Sequence, residues 1–473
     1  MLENRPIATV GQGLQGVLPG LNVTIQNGDP AQNVDFNIRG FESINGGSPL
    51  ILVDNVPMDL NQINPNDIAS ISVLKDASAS AIYGARAAFG VILVTTKKGK
   101  KGKVNISLST EQTVTVPIFL IDPITNPYTY MTSQNNLANL NGGTPPYNAD
   151  RLAGALAYSQ NPTLENAWDR DGDFLYFNGF NDYQDKVITD QSFQKKYDLS
   201  VSGASDEASY YASIGYLGKE GYLVNDRANQ DFQRFNALLK VDFKVNNWLS
   251  LNSKIIYTNT SNGTPNTYGF DASVNSVNRI LPIEPIEFPD LDYYRTPGDR
   301  ADYEQFIGEN FFNFDSRPYL EEGGLNSDNK HDTWFTQGLT ITPFDGFVLK
   351  SDFSYNSFFQ SVEQVQSEIS VIDGDNFSEG IDLSNLRFGP GFSGNTSIIN
   401  RTQYNQYFTF NIFGEYTYDK LEDHFFKAMV GFNQEESRTR RLQGRGNDLI
   451  TSAITDLNAT TGDQFVEGGR SHF

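Results

Sequence analysis

Cysteine is absent from the 473 residues. That excludes a disulfide framework and any thiolate-held zinc or iron–sulfur site. Histidine is almost absent: His331, His424 and His472 are the only three and lie far apart, so a histidine-built metal or catalytic cluster is not expected. Basic residues are outnumbered, with 35 Lys and Arg against 57 Asp and Glu and a net charge of −22. A nucleic-acid partner needs the opposite balance. No stretch approaches the roughly 18 to 20 apolar residues of a membrane-spanning helix. Membrane strands are untouched by this lack, because their signal is a weak alternation. The opening MLENRPIATVGQG has no apolar signal core, which implies either a cytoplasmic protein or a missing leader.

What the chain does have is aromatic and turn-forming residues: 34 Phe, 23 Tyr and 41 Gly. Its most structured stretch is 66–103, NDIASISVLKDASASAIYGARAAFGVILVTTKKGKKGK. Ile68, Ile71, Val73 and Leu74 form a short apolar run ending at Lys75-Asp76. Asp76 is a suitable N-cap for a helix over 76–88 built almost wholly of small residues. The β-branched run 90–96 then reads as a buried strand. Upstream, a helix is expected from Thr9 to Leu18, with strands at 21–26, 34–39 and 50–53. Asp54-Asn55 is expected to turn, and Asn55 tolerates left-handed backbone. Residues up to 103 thus make one small mixed α/β domain.

After 103 the period becomes two. Nine strands are expected, at 103–113, 195–204, 208–218, 231–244, 248–260, 332–343, 347–359, 402–418 and 424–437. Phe235, Ala237, Leu239, Val241 and Phe243 share one face, and Asn236, Lys240, Asp242 and Lys244 the other. A soluble β-sandwich with one wet face explains such alternation. A membrane barrel explains it too, and it also explains the connections. These run long, short, long, short: 114–194 then 205–207, 219–230 then 245–247, 261–331 then 344–346, 360–401 then 419–423. Outer-membrane barrels place short turns at the periplasmic end and long loops outside. An odd number of strands cannot close, and open edges do not occur in lipid. The expectation is a chain that stops mid-barrel, with 438–473 as a further loop.

Residues 5–103 resemble the plug domain of the SusC/RagA-like TonB-dependent outer-membrane transporters of Bacteroidota. The residues that carry the likeness are Gln15-Gly16-Val17 with Pro19-Gly20-Leu21, Ile38-Arg39-Gly40, Pro49-Leu50 with Val53-Asp54, Asn64 to Ile68, Val73 to Ser78, Ile82 to Ala88 and Gly90 to Gly99. Asn55 stands where the family usually has Gly, and Phe89 where a small polar residue is common. The resemblance implies a small α/β plug domain (1–103) followed by an antiparallel transmembrane β-barrel (104–473). Here the barrel would be incomplete, with about nine of a likely 22 strands. It implies active import, not enzymatic catalysis, and no cofactor. Implied partners are a SusD-like surface lipoprotein that captures substrate, TonB (its contacting segment expected to be absent here) and outer-membrane lipid. The substrate would be a glycan, chiefly oligosaccharide, with peptide as the other class.

The plug-motif residues carried by the resemblance are Arg39, Gly40, Asp54, Lys75, Asp76, Tyr83, Gly84 and Arg86. Together with Asp67, some of the charged members are expected to pair with one another or with the barrel's inner wall; the other reading is solvated surface charge. Lys97, Lys98, Lys100, Lys101 and Lys103 read either as an anchor at anionic head groups or as a solvated hinge. Aromatics of the long loops suit sugar rings, and Trp168, Tyr176, Tyr293 and Tyr294 are the candidate substrate contacts. Loop aromatics also serve to give a loop its own core. Asp169-Arg170-Asp171-Gly172-Asp173 resembles a calcium loop but lacks the downstream bidentate Glu, and no metal site is expected. Two other readings stand: a siderophore- or cobalamin-type TonB-dependent receptor, and a secreted soluble β-rich protein that binds or hydrolyses glycans. A hydrolase would need a carboxylate pair about 5–10 Å apart, which the sequence does not single out.

Overall fold

The computed structural model describes residues 7–25, 29–31, 33–38, 48–75, 86–118, 120, 122, 124–224, 231–266, 281–290, 303–311, 317–373, 380–390, 396–421, 424–451 and 454–472. The expected small-residue helix at 76–88 lies almost wholly outside them. So do Arg39, Gly40, Asp76, Tyr83, Gly84, Tyr293 and Tyr294.

The chain starts with helix α1 (Val10–Leu14). The Thr9 hydroxyl accepts from the Gln12 amide and the Gln12 side chain returns to the Thr9 amide, a reciprocal cap. The helix is shorter than expected because Gly16 turns the backbone to φ +71°, well before Pro19. Strands β1 (Leu21–Thr24) and β2 (Asp35–Ile38) form an antiparallel pair. A four-stranded sheet follows, made from β3 (Leu50–Val53), β4 (Val56–Pro57), β5 (Ile68–Leu74) and β6 (Val91–Thr96) in the order β4-β3-β6-β5. Between β3 and β4 the chain reverses through Asp54 (φ 47°) and Asn55 (φ 70°), a turn that needs two left-handed residues. Strands β3 and β6 pair in parallel and read as unbroken apolar runs because both faces are covered.

The remaining strands are β7 (Asn105–Thr115), β8 (Trp168–Asp171), β9 (Phe174–Phe177), β10 (Ser192–Ala204), β11 (Ala208–Glu220), β12 (Asp231–Lys244), β13 (Leu249–Pro265), β14 (Leu325–Ile341), β15 (Phe347–Gln366), β16 (Ser370–Asp373), β17 (Ile381–Asp382), β18 (Arg387–Pro390), β19 (Ser397–Leu421), β20 (His424–Asn447) and β21 (Gln464–His472). Ten of them form one antiparallel wall, ordered β21-β20-β19-β15-β14-β13-β12-β11-β10-β7. Its two edges, β7 and β21, are not paired with each other, so the wall is an open part-barrel.

Nine strands were expected, and among the described residues the wall has ten. Residues 438–473 are not simply a loop. Arg438–Asn447 continues β20, and β21 pairs with Arg438–Gly446 of it. The long-connection ends of the strands also overrun the expected limits: β13 continues to Pro265, β14 starts at Leu325, β15 continues to Gln366 and β19 starts at Ser397. Past the hydrocarbon neither face meets acyl chains, so the ladder continues while the apolar alternation that marks it fades.

The faces of the wall are opposite in character. Phe235, Leu239 and Phe243 of β12, with Ile255 of β13 and Phe353 of β15, point outward and are exposed. Arg234, Asn236 and Lys254 point inward and are buried against the plug. The inner face is not purely polar. Tyr211, Leu238, Ile256 and Trp334 join the plug core around Val10, Leu14, Phe36, Val53, Leu60, Ile92 and Val94.

Long connections carry their own folded structure. A helical pair, Pro127–Leu140 and Ala149–Gln160, precedes the hairpin β8–β9, which β17 extends into a three-stranded sheet. Trp168, Leu175, Phe177, Phe288, Phe306, Phe311 and Ile372 form the core beneath it.

Candidate plug–wall interface

Asp54 occupies the tip of the β3–β4 turn, and that turn points at the wall. Its carboxylate accepts from the Thr96 amide at 2.9 Å and the Thr96 hydroxyl at 2.5 Å. From the wall, Lys240 Nζ stands 3.2 Å and Lys254 Nζ 3.3 Å from Oδ2. Lys254 also donates to the Val53 carbonyl. Burial alone would raise the Asp54 carboxyl, but Lys254, Lys240 and Thr96 outweigh it and hold it at about 2. The left-handed turn therefore has a function: it delivers an anion between two wall cations.

A second group lies below it. Asn64 and Asn66, around the turn Pro65–Asp67, donate to the two oxygens of Asp198 on β10, each at 2.6 Å. Tyr211 on β11 donates to Asp67 at 2.9 Å. Burial pushes the Asp67 carboxyl up to about 6, with the nearby Asp198 carboxylate adding to the effect and Tyr211 opposing it. The wall can approach this closely because residue 215 is glycine. A Cβ there would stand 2.4 Å from Asn64 Nδ2.

Arg234 on β12 is fully enclosed. It donates to the Asn61 carbonyl at 2.7 Å, the Ala8 carbonyl at 3.0 Å and the Asn236 side chain at 2.9 Å. Asn236 in turn donates to the Gln62 carbonyl at 2.7 Å. At the far side of the plug, Arg86 forms a two-pronged pair with Glu435 on β20, at 2.8 and 2.7 Å, and Tyr407 donates to the same carboxylate.

Of the plug-motif residues, the structure thus places Asp54 and Arg86 on the wall. Lys75 approaches Gly20, where its Nζ would meet an added Cβ at 2.8 Å. The five lysines at 97–103 line a cavity of about 730 Å3 between Leu14, Ile68 and Ile71 of the plug and Asn105, Ser107 and Ser200 of the wall. Lys101 pairs with Asp206 in the short 205–207 turn. This position beside the plug differs from the lipid-anchor expectation.

Trp168 is buried in the loop core against Phe177, ring centroids 4.9 Å apart, so its ring is engaged in packing. Tyr176 is half-buried under the Arg151 guanidinium, 5.2 Å from the ring centroid. Asp169, Arg170 and Asp171 lie in β8, and Gly172-Asp173 form the β8–β9 hairpin turn, with Gly172 at φ +59°. Among the described residues no group of three or more potential metal ligands gathers.

The wall partners of these contacts, namely Asp198, Tyr211, Arg234, Lys240, Lys254 and Glu435, were not singled out from sequence. Their signal was present in the alternation, as polar residues on the face opposite the exposed aromatics. What the alternation lacks is which of them meets the plug.

The TonB-dependent Receptor Plug Domain model matches residues 1–91. Over 469 residues the chain is 27% identical to TonB-dependent receptor P3 of Formosa agariphila, spanning 96% of this chain and 41% of that protein. It is 25% identical to the TonB-dependent receptor SusC of Bacteroides thetaiotaomicron, again over 469 residues, covering 94% of this chain and 41% of SusC. The chain therefore spans about 41% of the length of these curated relatives. The structure of the RagAB peptide importer in its closed-closed state superposes with a TM-score of 0.72 at 22% identity, over 100% of this chain and 51% of that one. Residues 1–91 thus match a TonB-dependent receptor plug domain, and the plug seated in an open antiparallel wall is similar along its whole length to the plug domain and part of the β-barrel of SusC-like TonB-dependent receptors.

Proposed function

We propose that this chain is the plug-bearing part of an importer that carries an oligosaccharide or similar nutrient across the outer membrane. A SusD-like surface lipoprotein would deliver the substrate at the long-loop end, and TonB would draw the plug aside from the periplasmic end. The observation that supports this most is the seating of Asp54 between Lys240 and Lys254. Beside the apolar contact through Tyr211, Leu238, Ile256 and Trp334, the plug is held by ion pairs and amide contacts whose partners can be exchanged for water as the plug moves. Candidate substrate contacts are Tyr176 and, outside the described residues, Tyr293 and Tyr294.

The test is growth of the host with the gene deleted and restored. Loss of growth on one class of oligosaccharide as sole carbon source, mimicked by collapsing the inner-membrane proton gradient, is expected. Loss on peptides instead would move the substrate to that class. A defect seen only under iron or cobalamin limitation would favour the siderophore- or cobalamin-type receptor. Recovery of the protein in the soluble fraction would overturn import.

A further inference from the structure

We propose that the outward face of β20 and β21, above the apolar band, binds the phosphorylated headgroup of an outer-leaflet lipid. The argument starts from the direction each residue points. Glu435 reaches inward to Arg86, so the even-numbered residues of β20 point outward. From the short-turn end these are Phe426, Ala428, Val430 and Phe432, then Gln434, Glu436, Arg438 and Arg440. At roughly 3.3 Å per residue and a tilt near 40°, ten or so residues cross a band about 25 Å tall. Arg438 and Arg440 therefore stand at headgroup height, at the long-connection end. Register places Arg470 directly opposite Arg440, and His472 opposite Arg438.

Two like charges facing each other across a ladder repel. Glu436 contacts Arg438 and His472. Among the described residues no carboxylate pairs with Arg440 or Arg470, and both are exposed. Tyr404 lies opposite Arg440 on the other side, at the boundary where aromatic rings favour the membrane interface. In a chain of net charge −22, a cationic cluster on the lipid-facing surface is out of keeping with the rest. Guanidinium forks match phosphate oxygens two at a time, and a phosphate between Arg440 and Arg470 would relieve their repulsion.

This inference rests on the reading of the wall as lipid-facing, and the experiment separates the two. The transporter is purified in detergent from host outer membranes, alongside Arg440→Ala/Arg470→Ala and Arg440→Lys/Arg470→Lys. Co-purifying lipid is quantified by mass spectrometry, and each protein is checked for heat-modifiable migration. Expected is a near-stoichiometric phosphorylated lipid on the wild type, a loss of at least about fivefold in the alanine variant, and partial retention in the lysine variant. Stripping with a phosphatase before extraction should reduce wild-type retention alike. A heat-modifiable barrel that holds equal lipid in wild type and alanine variant, or none in either, overturns the headgroup site. Absence of heat-modifiable migration in the wild type overturns the membrane wall itself, and the proposal with it.

Discussion

Asp54 and Asp67 are both plug carboxylates in contact with the wall, yet they are tuned in opposite directions. Asp54 meets two cations and is held at about 2, whereas Asp67 meets a hydroxyl and another carboxylate and rises to about 6. For Asp54 the stabilising charge is present above the ordinary value of 3.8 and is lost as pH falls through about 2. For Asp67 the favourable form is neutral. Its contribution is full below 3.8 and is lost as pH rises through about 6. Plug docking should therefore strengthen as pH falls from 8 to 5, as read by hydrogen exchange in β5 and β6. Asp67→Asn should flatten that dependence and add up to roughly 3 kcal/mol at pH 8, from about two pH units at 1.4 kcal/mol each. An unchanged pH profile in Asp67→Asn would assign the dependence elsewhere. Asp54→Asn acts the other way. It leaves Lys240 and Lys254 facing each other without their anion, a loss on the order of 3 kcal/mol. Adding Lys254→Met should recover part of it, and chemical denaturation of the four-member cycle measures the coupling.

Elements differ in how much of them the sequence disclosed. Strand β6 was legible because Val91–Val94 is apolar on both faces and sits between a turn and a basic stretch. The turn at Asp54-Asn55 was legible because few residues accept positive φ. Strand β21 was not. Gln464–His472 has Phe465 and Val466 adjacent instead of alternating, and two glycines follow, so nothing in it signals a pleated face. It forms because β20 offers it a ladder, which is a non-local cause. The same applies to Arg438–Asn447, whose four arginines read as a solvated loop. Gly215 is a different case. Glycine inside a strand signals a close approach, but only the folded wall identifies Asn64 and Asp198 as the groups approaching. Gly215→Val should push them apart and weaken docking while leaving the β11 ladder intact. The expected result is faster proteolysis across 97–103, with unchanged heat-modifiable migration. Equal cleavage rates would mean that this approach contributes little to holding the plug.

At the scale of the molecule, connection lengths made the wall readable before any strand was certain, because only a barrel in a membrane has reason to put every long connection at one end. The site was less readable, since plug and wall are separated by well over a hundred residues at most contacts, as with Asn64 and Asp198 or Arg86 and Glu435. Such pairings are fixed by barrel curvature and by where the plug sits, neither of which is encoded locally. Leu239 and Lys240 bring the whole design to one dipeptide. Leu239 is exposed on the outer face, while Lys240 reaches inward to Asp54. Exchanging them (Leu239→Lys with Lys240→Leu) preserves composition and charge and reverses only direction. A lysine on the lipid face near mid-band costs about 2–4 kcal/mol, and the inward leucine removes one of the two cations on Asp54. Each single change separates the terms: Leu239→Lys should reduce insertion into lipid vesicles, and Lys240→Leu should loosen the plug in a wall that still inserts. A soluble sandwich predicts the opposite for the first change, since a lysine on a wet face is nearly neutral. Normal yield and unaltered insertion of Leu239→Lys would therefore remove the membrane assignment of this face, whatever the plug does.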